Sequence, residues 1–148
     1  MKVSDLIANR TEVFTLPESA TVLDAARFLR EKATRAVGIL DAQGKLAGVI
    51  SQSDISNKVA AEHKCPAWVR VSEIMSTQLA VVSPEASLDE CMIAMEKRGI
   101  YHLLIVDPKA GYRGILSVRD LLGALVSDQK ARADMLESFA FGHQPTLG

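Results

Sequence analysis

The stretch GVISQSDI, Gly48 to Ile55, returns as GILSVRDL, Gly114 to Leu121. An internal repeat constrains a fold more than any other sequence feature, because each copy must build the same supersecondary unit and bury its apolar face against its sibling. The echo extends well beyond eight residues. With Gly48 set against Gly114, Asp41 meets Asp107, Leu40 meets Val106, Ile39 meets Ile105, Leu29 meets Met95, Asp24 meets Glu90 and Thr21 meets Ser87 without a gap. Upstream, VSDLI (3–7) answers VSEIM (71–75) and TLPE (15–18) answers VSPE (82–85) after small length adjustments. The chain therefore reads as two copies of one unit, 1–62 and 71–127. A connector over 63–70 joins them, and a helix over 128–142 and a frayed tail over 143–148 follow.

Within the first copy, Thr21 with Asp24 three residues later is an N-cap with an acidic first turn. Val22, Ala25, Ala26 and Leu29 then form one apolar stripe. The second copy repeats the pattern with Ser87, Glu90 and Leu88, Cys91, Met92, Met95, and Gly99 ends it. Next come two short apolar runs around a turn, VGIL-DAQG-LAGVIS and LLIV-DPKAG-YRGILS, each predicting a buried hairpin. A second helix starts close to Ser53 or Val118, and a strand at EVFT or LAVV precedes the first. The predicted class is α+β: two β-α-β-β-α repeats packed with pseudo-twofold symmetry about one shared core, plus a C-terminal helix.

Trp68 is expected to anchor the connector to the core, and Cys91 to be a small buried hydrophobe. Beyond Val126 a helix continues or restarts with Met135, Leu136 and Phe139 apolar, and Gly142 and Pro145 supply its stop. That apolar side needs the module's own flank or a second subunit as its partner.

The totals narrow the function classes. At 148 residues there is about one domain's worth of chain, and 48% hydrophobic with 24% charged residues is a globular composition. A net charge of -1 without any Lys/Arg block argues against nucleic acid as partner. The longest aliphatic runs are too short for a membrane span, and MKVSDLIANR lacks a signal-peptide core, so a cytoplasmic chain is expected. Cys65 and Cys91 have no CxxC spacing, and Cys65 beside His63 lacks the second ligand pair of a zinc site, so no metal is expected. His63, His102 and His143 fall in neither a nucleophile elbow nor a HExxH helix, and no base adjoins the serines of the echo. No enzymatic activity is expected.

A serine ending a strand with an aspartate three residues on caps a helix: Ser51 or Ser53 with Asp54, and Ser117 with Asp120. Capping does not explain Gly48 and Gly114, since a strand glycine is costly unless a bulge or a close approach needs the space. The doubled order VSDLI, TLPESATVLDAARFL, VGILDAQGKLAGVISQSDI resembles a tandem pair of CBS domains over roughly residues 2 to 127. The resemblance implies a binding module that holds adenosine-containing ligands between the repeats. By position it implies Asp54 and Asp120 as ribose acceptors, and Ser51 and Ser117 with the adjacent helix starts as phosphate contacts.

An adenine slot is implied around Thr15, Pro17 and Val37 and around Val82, Pro84 and Leu103, residues that serve equally as core candidates. Arg35 is a candidate phosphate clamp, and Arg119 is another unless it pairs with Asp120. Gly38 and Leu104 stand where family members often carry proline, and Tyr101 where several carry a cation, which weakens the second site. The expected regulatory ligand is AMP, ADP or ATP, ahead of S-adenosylmethionine or NAD, with no required cofactor. Partners implied are a second copy in a homodimer and an unidentified regulated protein. The competing reading is a ligand-free dimeric scaffold whose Ser and Asp are caps alone.

Overall fold

A computed structural model describes residues 1–140. Its elements run α1 (Val3–Leu6), β1 (Thr15–Pro17), α2 (Val22–Lys32), β2 (Ala36–Leu40), β3 (Leu46–Ser51), α3 (Gln52–Ile55) continuing into a wider π-helical turn (Ser56–Ala60), α4 (Val71–Ile74), β4 (Val81–Val82), α5 (Leu88–Arg98), β5 (His102–Asp107), β6 (Gly111–Ser117) and α6 (Val118–Ala140). The caps read from sequence open the long helices. Thr21 Oγ1 accepts from the Asp24 amide at 3.1 Å, and the Asp24 carboxylate accepts from the Thr21 amide at 3.1 Å. Ser87 does the same for the Glu90 amide at 3.1 Å, and Gly99, with φ of 63°, closes α5.

Each repeat makes a three-stranded sheet, β1-β2-β3 and β4-β5-β6, with the first pair parallel and the second antiparallel. The strand expected at EVFT forms three residues later, because Thr15, Leu16 and Pro17 are the residues that register with Gly38, Ile39 and Leu40. The one expected at LAVV shortens to Val81–Val82. The expected C-terminal helix is the continuation of the last repeat helix, since α6 runs unbroken for 23 residues. Gly142, Pro145 and the tail over 143–148 lie outside the described residues.

The expectation of one shared core needs correction, because there are two. Val22, Ala25, Leu29, Val37, Ile39, Ile50 and Val59 form one, completed by Val71 and Ile74 of α4. Leu88, Cys91, Met95, Leu103, Ile105, Leu116 and Leu121 form the other, completed by Val3 and Ile7 at α1. The short helix that opens each sequence repeat thus docks in the other repeat's core. Backbone bonds fix the exchange: Val3 N–H donates to Ala86 O at 2.9 Å, and Val71 N–H to Ala20 O at 2.8 Å. A smaller cluster of Ala36, Val49 and Leu104, flanked by Tyr112 and Ile115, joins the two sheets.

Trp68 does not anchor the connector, being 85% exposed. The backbone does that work instead. The carbonyls of Val69 and Pro66 accept from the first amides of α2, Val22 at 2.8 Å and Leu23 at 3.1 Å, groups that a helix start otherwise leaves orphaned. Along α6, Leu122, Val126, Met135 and Leu136 are exposed. Among the described residues no helix is long and apolar enough to cross a membrane.

Candidate functional site

Both hairpins slip register by one residue, opposite Ile39/Leu40 and opposite Ile105/Val106. The extra residues are Ala47 and Arg113, so each echoed glycine borders a bulge. Close approach accounts for the rest. A Cβ on Gly48 would lie 2.5 Å from Met75 Sδ and 3.0 Å from the Ser76 carbonyl. One on Gly114, whose φ is +122°, would lie 3.3 Å from Arg10 Nη1. Met75 and Ser76 follow α4 and Arg10 follows α1, so in both copies the glycine admits the segment that trails a docked short helix.

At the strand–helix junctions each serine is the cap. Ser51 Oγ accepts from the Asp54 amide at 3.2 Å, and Asp54 Oδ2 accepts from the Ser51 amide at 2.9 Å and from its hydroxyl at 3.1 Å. Asp54 Oδ1 is held by Lys58 Nζ at 3.1 Å, which also donates to the Ile74 carbonyl at 2.9 Å. Ser117 and Asp120 repeat the box at 3.1 and 2.9 Å, but their outer partner differs. Arg10 Nη2 lies 3.2 Å from Asp120 Oδ2 while its Nη1 donates to the Ile115 carbonyl at 2.7 Å. The Asp54 side chain is 15% exposed and that of Asp120 37%. The more accessible carboxylate is therefore in the repeat that the sequence marks as weaker.

The other expected site residues separate. Arg35 is exposed, and its carbonyl accepts from Gln52 N–H at 3.0 Å. Arg119 is exposed as well, and it is Arg10 that pairs with Asp120. Val37 and Leu103 are fully buried in the two cores. Strand alternation turns their neighbours Gly38 and Leu104 to the face between the sheets. Val82 packs on the second core, and Pro84 is buried with its carbonyl accepting from Ser4 N–H at 2.8 Å. Thr15 and Pro17 lie on β1, and β2 separates them from Ser51 at the end of β3.

Arg10 and Lys58 are the polar residues that sequence reasoning missed. Lys58 has a local signal, four residues after Asp54 on a helical surface. Arg10 has none, standing 110 residues from its partner. Tyr112 is another omission. A Cβ on Gly38 would fall 2.5 Å from the Tyr112 ring, so this glycine of the first repeat seats an aromatic of the second. The Tyr112 hydroxyl is buried against the Gly38 backbone with no well-formed hydrogen bond among the described residues, and burial pushes its pKa above the ordinary phenol value. Two surface hollows, of about 280 and 460 Å³, lie away from both Ser–Asp pairs. One adjoins the starts of α5 and the N-terminus beside α6, and the other lies at Gln78–Ala80 beside Arg98.

His102 of the second repeat feels the Asp54 carboxylate of the first. Burial lowers its pKa below 6.5, an effect that the negative charge of Asp54 partly opposes. Well above pH 6.5 the ring is neutral whether the chain is folded or not; as the pH falls through 6.5 the unfolded chain binds the proton first. Stability should thus fall with acidification from 6.5 down to the folded-state pKa, and His102→Gln should flatten that slope. Urea melts between about pH 7.5 and 5.5 test this, and an unchanged slope in the variant would assign the effect to another group.

Comparison with known proteins follows the repeat. The family described as CBS domain matches residues 3–61 and again 71–127. The CBS domain-containing protein YhcV of Bacillus subtilis is 30% identical over 121 residues, covering 82% of this chain and 84% of that one. An uncharacterized protein of Methanopyrus kandleri is 29% identical over 76% of this chain, which spans only 58% of that relative's length. Among solved structures, a putative signal-transduction protein with CBS domains from Burkholderia ambifaria superimposes with a TM-score of 0.80 at 27% identity, covering 87% of this chain and 96% of that one. A CBS domain protein from Pyrobaculum aerophilum complexed with AMP shares the fold at a TM-score of 0.74 and 20% identity, covering 86% of this chain and 99% of that one. So does a CBS domain pair in complex with 5′-methylthioadenosine and S-adenosyl-L-methionine, at 0.75 and 23%, with coverage of 86% and 98%.

Proposed function

Because the chain belongs to the CBS domain family, as two tandem repeats, we propose that it is a regulatory module that binds an adenine nucleotide between the repeats and thereby alters the surface shown to a partner protein. The observation that carries this reading is the doubled Ser-x-x-Asp junction, with the Asp120 carboxylate 37% exposed and its described contacts all on Oδ2. Such a carboxylate has acceptor capacity left for a ribose diol, and the Ser117 hydroxyl sits at the start of a 23-residue helix whose N-terminus favours a phosphate. Related folds solved with AMP and with S-adenosyl-L-methionine support an adenosine-containing ligand. We place AMP or ADP first, since the cations bonded at the two pairs, Lys58 and Arg10, are already engaged by Asp54 and Asp120. The expected setting is the cytoplasm. The ligand acts by binding one relative arrangement of the repeats better than another.

Calorimetric titration of AMP, ADP, ATP, S-adenosylmethionine and NAD tests this, using wild type, Asp54→Ala and Asp120→Ala with a melt of each. AMP or ADP is expected to bind, with Asp120→Ala lowering affinity at least about tenfold while the melt drops only as for a lost helix cap, about 1 kcal/mol. If nothing binds and both changes merely destabilise, the second reading takes over. In it the module is a dimeric scaffold, which the two complete capping boxes favour. Under either reading the exposed Leu122, Val126, Met135 and Leu136 of α6 suit a second copy, and light scattering that gives a monomer throughout the micromolar range would remove that part.

A further inference from the structure

The two carboxylates are held in different ways. Asp54 is held by Lys58, four residues away on the same helical surface. Asp120 is held by Arg10, which arrives from the exposed stretch between α1 and β1. Matching VSDLI to VSEIM puts Gln78 at the position that corresponds to Arg10, so the segment after α4 carries no cation equivalent to it. Space for the guanidinium is built in, because Gly114 has no side chain and Arg10 Nη1 comes within 3.3 Å of where its Cβ would stand. Residues 8 to 13 are all exposed; Arg10 supplies two side-chain bonds that tie this stretch to β6 and α6, and Glu12 pairs with Lys32 of α2 at 3.5 Å.

We propose that Arg10 is a latch on the site at Asp120, occupying Oδ2 of a carboxylate whose two oxygens a ribose diol would span, so that nucleotide binding there displaces Arg10 and loosens the stretch over residues 8–13, leaving the Glu12–Lys32 pair as its remaining ion pair. This rests on the nucleotide reading above. An ion pair about one-third exposed on both sides, with a single N–O contact of 3.2 Å, is strong enough to compete and weak enough to be displaced. The bond from Nη1 to the Ile115 carbonyl adds to the hold. Ligand occupancy of the site at Asp120 is thereby coupled to the N-terminal segment, whose short helix α1 sits in the second repeat's core.

The test titrates AMP into full-length protein carrying Asp54→Ala, so that the site at Asp120 reports, with Arg10 intact or changed to Ala or Gln. Removing the latch is expected to tighten AMP binding between about twofold and tenfold. In wild type AMP should also speed exchange of the Arg10 amide, which donates to the Ile7 carbonyl at 3.0 Å, a readout that needs no variant to fold. Binding that is equal or weaker without Arg10, or exchange that AMP leaves unchanged, overturns the latch and leaves the nucleotide reading standing. AMP binding to neither protein overturns the latch, and if neither AMP nor ADP binds wild type the nucleotide reading falls with it.

Discussion

A fragment ending at Arg70 is expected not to fold, although the sequence repeat nominally ends before it. Val71 and Ile74, 0% and 5% exposed, complete the core built by α2, β2 and β3, and such a cut removes both. Burying an aliphatic side chain of this size contributes about 1.5–3 kcal/mol, so the loss is about 3–6 kcal/mol. That is comparable to the whole stability expected of a unit of about 70 residues. The same cut leaves Val3 and Ile7 without the second core in which they pack. Circular dichroism of residues 1–70 and 71–148 separately should show little structure, mixing them should restore it, and residues 8–76 should be the better-ordered first unit. A folded 1–70 would mean that α4 adds little to its core.

Gly38→Ala is expected to destabilise the intact protein by about 1–3 kcal/mol, the cost of forcing an extra carbon into a packed contact. The new Cβ would fall 2.5 Å from both Cζ and Oη of Tyr112, and that ring, wedged between the sheets, has little room to withdraw. The strain belongs to a pair, so the pair identifies it. Tyr112→Leu removes the ring end along with its buried hydroxyl, and in that background Gly38→Ala should cost much less. Equal costs in the two backgrounds, read from denaturant midpoints, would place the effect of alanine in the strand itself.

What the sequence made legible was local. Caps at Thr21, Ser87, Ser51 and Ser117, the helix end at Gly99 and the hairpins all depend on neighbours within a few positions, and each forms. The exchange of α1 and α4 was hidden because VSDLI and VSEIM look alike, and nothing in either says which core receives it. Trp68 misled because its hydrophobicity suggested burial, whereas the connector is fixed through its carbonyls, and any residue type has those. At the candidate site the serine and aspartate of each pair were legible from spacing, and Lys58 could have been. Arg10 is there by long-range chain path, which one sequence does not encode in any local pattern.

The unbroken course of α6 has a mechanical side. It begins at Val118, directly after the capping serine, and at about 1.5 Å per residue its 23 residues extend roughly 34 Å. A tilt of about 10° at that pivot sweeps the far end through about 6 Å, more than one helical turn. The stiff rod thus acts as a pointer, in which a displacement too small to notice at Ser117 becomes a step the size of a side chain at Leu136.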